Sequence, residues 1–124
     1  MSEAELPEGA QLTRSKLMTP IDEPSNSALV FPLGRLDRDG ASISVTQVEI
    51  DGRHRTLASR RAPRSYYVVS GSVHFTLDGG EPLLLGANDL LVIPRGCRYS
   101  LEGRATYLVI NSPAFEPDDD VYFE

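Results

Sequence analysis

The chain has 124 residues, with 12 Lys and Arg against 18 Asp and Glu, one Cys and two His. This length fits one domain, and 40% apolar residues excludes a chain that is wholly disordered or embedded in a membrane. The single Cys97 excludes an intrachain disulfide, and two histidines are too few for a zinc-finger-like site. His54 and His74 are therefore the only imidazoles available for acid–base chemistry.

The net charge of −6 is distributed unevenly. Five acidic residues lie in the last nine positions, so residues 1–115 carry a net charge of only −1. Between Gly52 and Leu77 there are five arginines and no acidic residue. Such a stretch either binds an anion or solvates the outer face of a strand. The sequence pI of about 4.9 argues against a nucleic-acid-binding protein, so no nucleic-acid partner is expected.

The N-terminal residues are acidic and lack the apolar segment of a signal peptide. No apolar run approaches the ~18 residues that a membrane span requires. The default expectation is a soluble, cytoplasmic protein without a membrane partner. Three prolines in residues 1–26 favour an extended arm over a helix.

From residue 28 onward, short segments rich in β-branched and aromatic residues alternate with turn signals. Asp39-Gly40 and Asp78-Gly79 are typical hairpin turns, because these residues readily adopt positive φ. The predicted strands are 28–33, 41–50, 66–70, 73–77, 82–85, 90–93 and 105–110. Further turns are predicted at 51–52, 70–71, 86–88, 94–96 and 102–103. The spacing indicates an all-β sandwich or barrel over residues 27–115, after the arm of 1–26 and before an acidic tail of 116–124.

The arginine-rich stretch has a distinctive spacing. Gly52 is followed by five residues, then Ala58, one residue, Arg60, three residues and Arg64, and six further residues lead to Gly71. A second pattern begins with Asn88, five residues and Pro94-Arg95-Gly96. Two residues then precede Tyr99, and three more precede Gly103. Asn88 tolerates the left-handed backbone conformation better than other non-glycine residues do.

These spacings, over residues 33–113, resemble those of the cupin family, with Asn88 in place of a family glycine. The resemblance implies a small antiparallel cupin-type β-barrel, a double-stranded β-helix similar to a jelly roll. It also implies a homodimer. The four metal ligands of the family fall here on Ala58, Arg60, Arg64 and Tyr99. Since alanine has no donor atom and arginine stays protonated, no metal site and no cofactor are expected.

If these positions still face inward, the floor of the barrel becomes an anion site. Arg60 and Arg64 would then bind a small anionic molecule, such as a carboxylate or phosphate, through bidentate hydrogen bonds. Positions 58, 60, 64, 66 and 68 share one face only if residues 61–63 preserve the phase of the strand. The alternative is that both arginines solvate an outer face.

Three residues are candidates for acid–base catalysis. Tyr99 is predicted beside two guanidinium groups, which would lower the pKa of its phenol, and Tyr66 follows the same logic. His54 has the parity of the inner face and titrates near neutrality. The alternatives are that the tyrosines are hydrogen-bonding wall residues and that His54 lies at the surface. His74 is expected to point away from the core, and Cys97 is expected to be structural.

The resemblance and these residues together predict a metal-independent enzyme that transfers protons on a small anionic metabolite. The compatible reactions are isomerisation, cyclisation, elimination and epimerisation. The alternative is a non-catalytic cupin that binds or senses a small ligand, and a weaker option is a structural subunit with a filled barrel.

Overall fold

The computed structural model describes residues 5–124. Eight antiparallel β-strands account for most of this part of the chain. They are β1 (Ile21–Glu23), β2 (Ala28–Arg38), β3 (Ala41–Ser59), β4 (Arg64–Leu77), β5 (Leu83–Gly86), β6 (Leu90–Ile93), β7 (Tyr99–Asn111) and β8 (Asp120–Tyr122). The only helical segments in the described range are three single-turn 3-10 helices, Ser15–Leu17, Pro24–Asn26 and Pro117–Asp119. None of them is long enough to cross a membrane. The predicted all-β class is confirmed.

The strands follow the order β1-β2-β3-β7-β4-β5, with β6 paired to β4 and β8 paired to β3. The long strands β3, β4 and β7 form the centre of this arrangement, because β7 pairs along its length with both of the others. Their inner faces therefore meet around one interior. This barrel places residues that are far apart in the sequence beside each other, such as Arg64 opposite Asn111.

The two predicted Asp-Gly hairpins are present. Asp39 and Gly40 have φ values of 55° and 78° and join β2 to β3, with Arg38 paired to Ala41. Asp78 and Gly79 have φ values of 48° and 72° at the end of β4. Asn88 adopts φ of 73°, so it does occupy the left-handed region. These local turns follow from residue type alone, because only a few residues tolerate this backbone conformation.

Three predicted turns are instead bends inside long strands. Gly52, Gly71 and Gly103 lie within β3, β4 and β7, and the strands continue beyond them. Gly71 has φ of 78°, and a Cβ there would meet the Arg104 carbonyl oxygen closer than van der Waals contact permits. The prediction of separate strands at 66–70 and 73–77 is therefore wrong. Glycine here lets neighbouring backbones approach at a corner of the barrel, which a sequence cannot distinguish from a chain reversal.

The core lies between the inner faces of the strands. Its fully buried members include Val68, Val73, Phe75 and Leu101. On β4 the buried positions change from even to odd numbers across an irregularity between Val68 and Ser70. An irregularity of the same kind, between His54 and Leu57, shifts the phase of β3. Period-2 alternation therefore holds only on either side of each irregularity, and this decides which arginines can face inward.

Both terminal segments contribute to the barrel. From the predicted arm, β1 pairs with β2, while the predicted tail contains β8, which pairs with β3 through Leu57 and Tyr122. The division of the chain into arm, barrel and tail stays a prediction.

Replacing Gly71 with alanine is expected to destabilise the protein by about 2–4 kcal/mol, since the backbone conformation costs ~1–2 kcal/mol and the contact with Arg104 forces a further adjustment. Gly79→Ala is the matched control. Gly79 has a similar φ of 72° but open space around its Cβ position, so only the backbone cost applies. Urea unfolding of the two variants checks this, and equal losses of stability would show that the corner at Gly71 is not crowded.

Candidate active site

A cavity of about 380 Å³ opens into the barrel. Its walls come from β1, β2, β3, β4 and β7 and from the C-terminal segment that leads into β8. Nine of the eighteen lining residues are apolar, and the other nine have polar side chains: Glu23, Thr46, His54, Arg64, Tyr66, Tyr107, Asn111, Asp120 and Tyr122. An open groove of about 700 Å³ elsewhere is lined by Asp22, Glu49 and Arg104, among others, but none of its polar side chains is buried. The barrel cavity is therefore the better candidate for chemistry, because the surrounding protein holds buried polar groups in fixed positions.

Arg64 is the central charged group of this cavity. It is 4% exposed although it is an arginine. Its Nε donates to Asn111 Oδ1 at 2.9 Å and its Nη1 to the Tyr99 hydroxyl at 3.5 Å. Its Nη2 lies 2.6 Å from Asp120 Oδ1, a close ion pair whose atoms are not aligned as a hydrogen bond. The buried guanidinium is thus neutralised by the protein itself.

Asp120 reaches Arg64 because β8 folds back onto β3. Its neighbour Asp119 is also paired, with Arg61 Nε at 2.8 Å. Outer contacts hold the end of the chain, since Arg53 binds Glu124 at 2.7 Å and the Arg98 guanidinium lies 3.9 Å from the centre of the Phe123 ring. The acidic run is therefore not merely solvated, because Asp119 and Asp120 are both paired with arginines. Sequence reasoning could not place them, because their partners lie more than fifty residues away.

Two tyrosines form a hydroxyl pair at the cavity wall. The hydroxyl oxygens of Tyr66 and Tyr99 are 2.5 Å apart. Tyr66 lines the cavity, whereas Tyr99 is 1% exposed and lies behind it. Edge-to-face contacts hold the Tyr66 ring, at centroid distances of 4.9 Å to Phe75 and 5.4 Å to Tyr107. The Tyr66 side chain is therefore held rigidly at the cavity wall, and the Tyr99 hydroxyl is hydrogen-bonded to its hydroxyl.

The pKa values of these phenols differ from the sequence expectation. Burial raises the pKa of Tyr99 well above its usual value, although Arg64 opposes the shift. Burial likewise raises the pKa of Tyr66, opposed by Arg64 and by the hydrogen bond from Tyr99. The expectation of a lowered pKa at Tyr99 is wrong, because desolvation of the phenolate outweighs the single nearby guanidinium. Both phenols are protonated at neutral pH and are suited to donate a proton.

His54 lines the same cavity from β3. Its Nδ1 lies 2.9 Å from the Arg55 carbonyl oxygen, so Nδ1 carries the hydrogen and Nε2 keeps a lone pair. Burial lowers the pKa of His54 below its ordinary value of 6.5, although Asp120 and Glu23 oppose the shift. The neutral imidazole therefore prevails at neutral pH. A neutral histidine with a free lone pair is the form that accepts a proton.

The remaining candidates lie elsewhere. Arg60 is exposed, and its Nη1 donates to the Asp118 carbonyl oxygen at 3.4 Å. The expectation that Arg60 faces inward with Arg64 is not met, because the chain bends through residues 60–63 and loses the phase of the strand. His74 is exposed, as its alternation predicts. Cys97 is partly exposed, and burial and Asp78 raise the pKa of its thiol, which disfavours a nucleophilic thiolate.

The sequence analysis did not single out several polar residues of the cavity, among them Glu23, Tyr107, Asn111 and Asp120. Asn111 and Tyr107 share the odd-numbered inner face of β7 with Tyr99, so the alternation of the last predicted strand contained a usable signal. Glu23 and Asp120 belong to terminal segments with no such pattern. Their places depend on the pairing of β1 and β8.

The positions of the family's metal ligands do not suit a metal ion. They correspond to Ala58, the exposed Arg60, the ion-paired Arg64 and Tyr99. In residues 5–124 no group of three or more His, Cys, Asp and Glu side chains is placed to hold a metal ion. The donor set present in the cavity thus does not fit the metal centre that the resemblance would otherwise imply.

Comparison with known families supports the resemblance. Residues 57–109 match the EutQ-like cupin domain family, Cupin_3. This match begins in β3 and extends into β7, so it includes Arg64, Tyr66 and Tyr99. No curated protein matches the chain.

Several solved structures share the fold. Pac13, described as a nucleoside dehydratase, is 23% identical, with a TM-score of 0.78 over 93% of this chain and 92% of that one. A Streptomyces Pac13 variant with uridine gives 23% identity and a TM-score of 0.77, covering 90% of this chain and 89% of that one. The polyketide cyclase RemF from Streptomyces resistomycificus is 20% identical, with a TM-score of 0.72 over 93% of this chain and 87% of that one. These likenesses establish a cupin fold for the chain.

Replacing Asp120 with asparagine is expected to destabilise the protein by about 3–5 kcal/mol, because it leaves the buried Arg64 guanidinium without its counter-charge. Chemical denaturation measures the change. Glu124→Gln is the matched control, because it removes one carboxylate from an exposed ion pair with Arg53 and is expected to have a much smaller effect. Equal effects of the two substitutions would contradict a structural role for the buried pair.

Proposed function

Because the chain has a cupin fold and its barrel offers no set of metal ligands within residues 5–124, we propose that it is a metal-independent enzyme that moves protons on a small molecule. The observation that carries the proposal is one cavity lined by a proton acceptor, His54, and a proton donor, Tyr66. Of the compatible reactions we favour the elimination of water, which is the chemistry named for the structural neighbour Pac13. Isomerisation, cyclisation and epimerisation require the same proton transfers.

In such an elimination, His54 Nε2 takes a proton from a carbon atom of the substrate. The electron pair of that C–H bond forms the new double bond, and the bond from the neighbouring carbon to its hydroxyl group breaks. Tyr66 gives its proton to the departing oxygen, so water leaves. Positioned acid and base groups of this kind contribute about 10²- to 10⁴-fold each to the rate.

The hydroxyl pair and Arg64 support the second proton transfer. The Arg64 Nη1 donates toward the Tyr99 hydroxyl, which leaves the Tyr99 hydrogen free to bind Tyr66. Tyr66 can then direct its own hydrogen into the cavity. Once that hydrogen is gone, the Tyr66 phenolate receives the hydrogen bond from Tyr99 and lies in the field of Arg64.

The charges of the cavity favour a neutral substrate over an anionic one. The lining contains one guanidinium, Arg64, and two carboxylates, Glu23 and Asp120. Since Asp120 already pairs with Arg64, an incoming anion would meet an occupied guanidinium and the carboxylate of Glu23. The anionic substrate expected from the sequence stays a prediction. A neutral molecule with hydroxyl groups, such as a nucleoside, is the class we propose.

The activities named for two structural neighbours support this choice of chemistry. One neighbour is a nucleoside dehydratase and another is a polyketide cyclase. Dehydratase variants solved with uridine replace one histidine by glutamine or a tyrosine by phenylalanine. This cavity likewise contains a histidine, His54, and a tyrosine, Tyr66, with Tyr99 behind it. A homodimer, implied by the family, is proposed here as well.

Turnover is expected to depend on His54 and Tyr66. With a panel of nucleosides and their oxidised derivatives, mass spectrometry detects the loss of one water molecule or the uptake of deuterium from heavy water. His54→Gln is expected to lower the rate by about 10³-fold and Tyr66→Phe by about 10²-fold, which is the usual range for a removed base or acid.

Two controls belong to this experiment. Tyr67→Phe removes a hydroxyl on the adjacent residue, whose partner is Asn88 on the outside, and His74→Gln removes the exposed imidazole. Both variants are expected to keep full activity. Retention of ligand binding without turnover in the wild-type protein would favour the binding or sensor function instead. A requirement for an added divalent metal would contradict the proposal.

The charge preference can be tested by calorimetry with uridine and uridine 5′-monophosphate. Uridine is expected to bind at least ~10-fold more tightly, a difference of about 1.4 kcal/mol, because the phosphate would face the Glu23 carboxylate without a free cation. Tighter binding of the monophosphate would restore the anionic ligand class predicted from the sequence.

A further inference from the structure

Glu23 lines the cavity from β1, and His54 and Tyr122 line the same cavity. It is partly buried, and it forms no ion pair with any residue of the described range 5–124. Its Oε1 accepts a hydrogen bond from Asn26 Nδ2 at 3.2 Å. A partly buried carboxylate that forms no ion pair leaves its negative charge available to other groups of the cavity.

Asn26 connects this carboxylate to the strand segment that contains His54. Its side chain is 2% exposed, in the 3-10 helix between β1 and β2. Asn26 Oδ1 accepts from Arg55 Nε at 3.0 Å and from the Arg55 backbone N–H at 3.4 Å. The Arg55 carbonyl oxygen in turn accepts the hydrogen of His54 Nδ1. Hydrogen bonds thus connect Glu23 to Asn26 and Asn26 to Arg55, and the backbone of Arg55 carries the connection to His54.

We propose that Glu23 is the positioning residue for His54, held by Asn26 so that its negative charge stabilises the imidazolium formed when His54 takes a proton. The inference rests on the proposed function insofar as His54 is the base. It assigns Glu23 no contact with the reacting atoms.

The charged and titratable groups around His54 single out Glu23. Asp120 faces the imidazole from β8, but its charge is committed to Arg64. Tyr122 stacks on the His54 ring, with centroids 6.3 Å apart, and its phenol is neutral because burial raises its pKa. The Arg55 guanidinium lies 3.8 Å from the centre of the Tyr122 ring, and it opposes protonation of His54. Glu23 is the carboxylate near His54 that has no cation to neutralise it in the described part of the chain.

The position of Glu23 also predicts a kinetic effect that a merely structural residue would not produce. Before proton transfer His54 is neutral and gains little from a nearby carboxylate, whereas the imidazolium formed during the reaction is stabilised by it. Removing the charge should therefore lower kcat and leave KM for a neutral substrate nearly unchanged.

The test is an NMR titration of the His54 ring in the substrate-free protein, with the isosteric variant Glu23→Gln. The His54 pKa is expected to fall by about 0.5–1 unit, because the imidazolium loses its counter-charge. Asp22→Asn is the matched control. It removes a carboxylate from the next residue of the same strand, whose side chain is exposed and absent from the cavity lining, and it should leave the His54 pKa within about 0.2 unit.

An unchanged His54 pKa in Glu23→Gln, or an equal fall in Asp22→Asn, would overturn the assignment. If Glu23→Gln does not fold, Glu23→Asp serves instead, since it keeps the charge but withdraws it by one methylene group and must give a smaller fall of the same sign. The titration needs no substrate, so its result stands apart from the turnover assay of His54→Gln. A positive titration with no turnover would leave Glu23 as the charge partner of His54 and reject only the proposed reaction.

Discussion

The buried ion pair between Arg64 and Asp120 is the interaction on which the cavity depends. An arginine at 4% exposure needs a counter-charge and hydrogen-bond acceptors, and these come from two other strands, β7 and β8. Asn111, at the end of β7, and Tyr99, at its beginning, accept hydrogen bonds from Arg64. Asp120 of β8 supplies the counter-charge. Without the ion pair, β8 would retain its outer contacts, but the Arg64 guanidinium would be buried without a counter-charge. The C-terminal segment is therefore part of the cavity wall as much as the central strands are.

The same arrangement explains why arginine in this barrel does not amount to an anion site. A guanidinium attracts anions when its charge is free, and here the protein supplies the carboxylate itself. What remains for a ligand is a largely apolar space with a few hydroxyl, amide and imidazole groups and the carboxylate of Glu23. The chemistry of the cavity is thus governed by which charges are already satisfied, and a count of arginines in the sequence does not reveal that.

Local features were predictable wherever residue type alone decides the backbone. The hairpins at Asp39-Gly40 and Asp78-Gly79, and the left-handed Asn88, follow from the few residues that tolerate positive φ. Gly71 shows the limit of this reasoning. It has the same backbone conformation as a turn glycine, yet it permits a close approach to Arg104 inside a continuous strand. Arg64 faces inward and Arg60 faces outward, and the sequence did not predict this difference. The chain bends between the two residues, so their even numbers no longer place them on one face.

The amino-acid sequence by itself determined the all-β class, the cupin-like spacing and the inventory of groups able to carry chemistry: two histidines, a few tyrosines and almost exclusively arginine as the cation. Only the tertiary structure decided which of these groups meet and in what ionisation state. Burial keeps the pKa of Tyr66 and Tyr99 high and that of His54 low, and both effects come from side chains packed around them by strands distant in the sequence. The physical reason is that desolvation and charge pairing depend on the three-dimensional surroundings of a group, whereas spacing along the chain records only its neighbours on one strand.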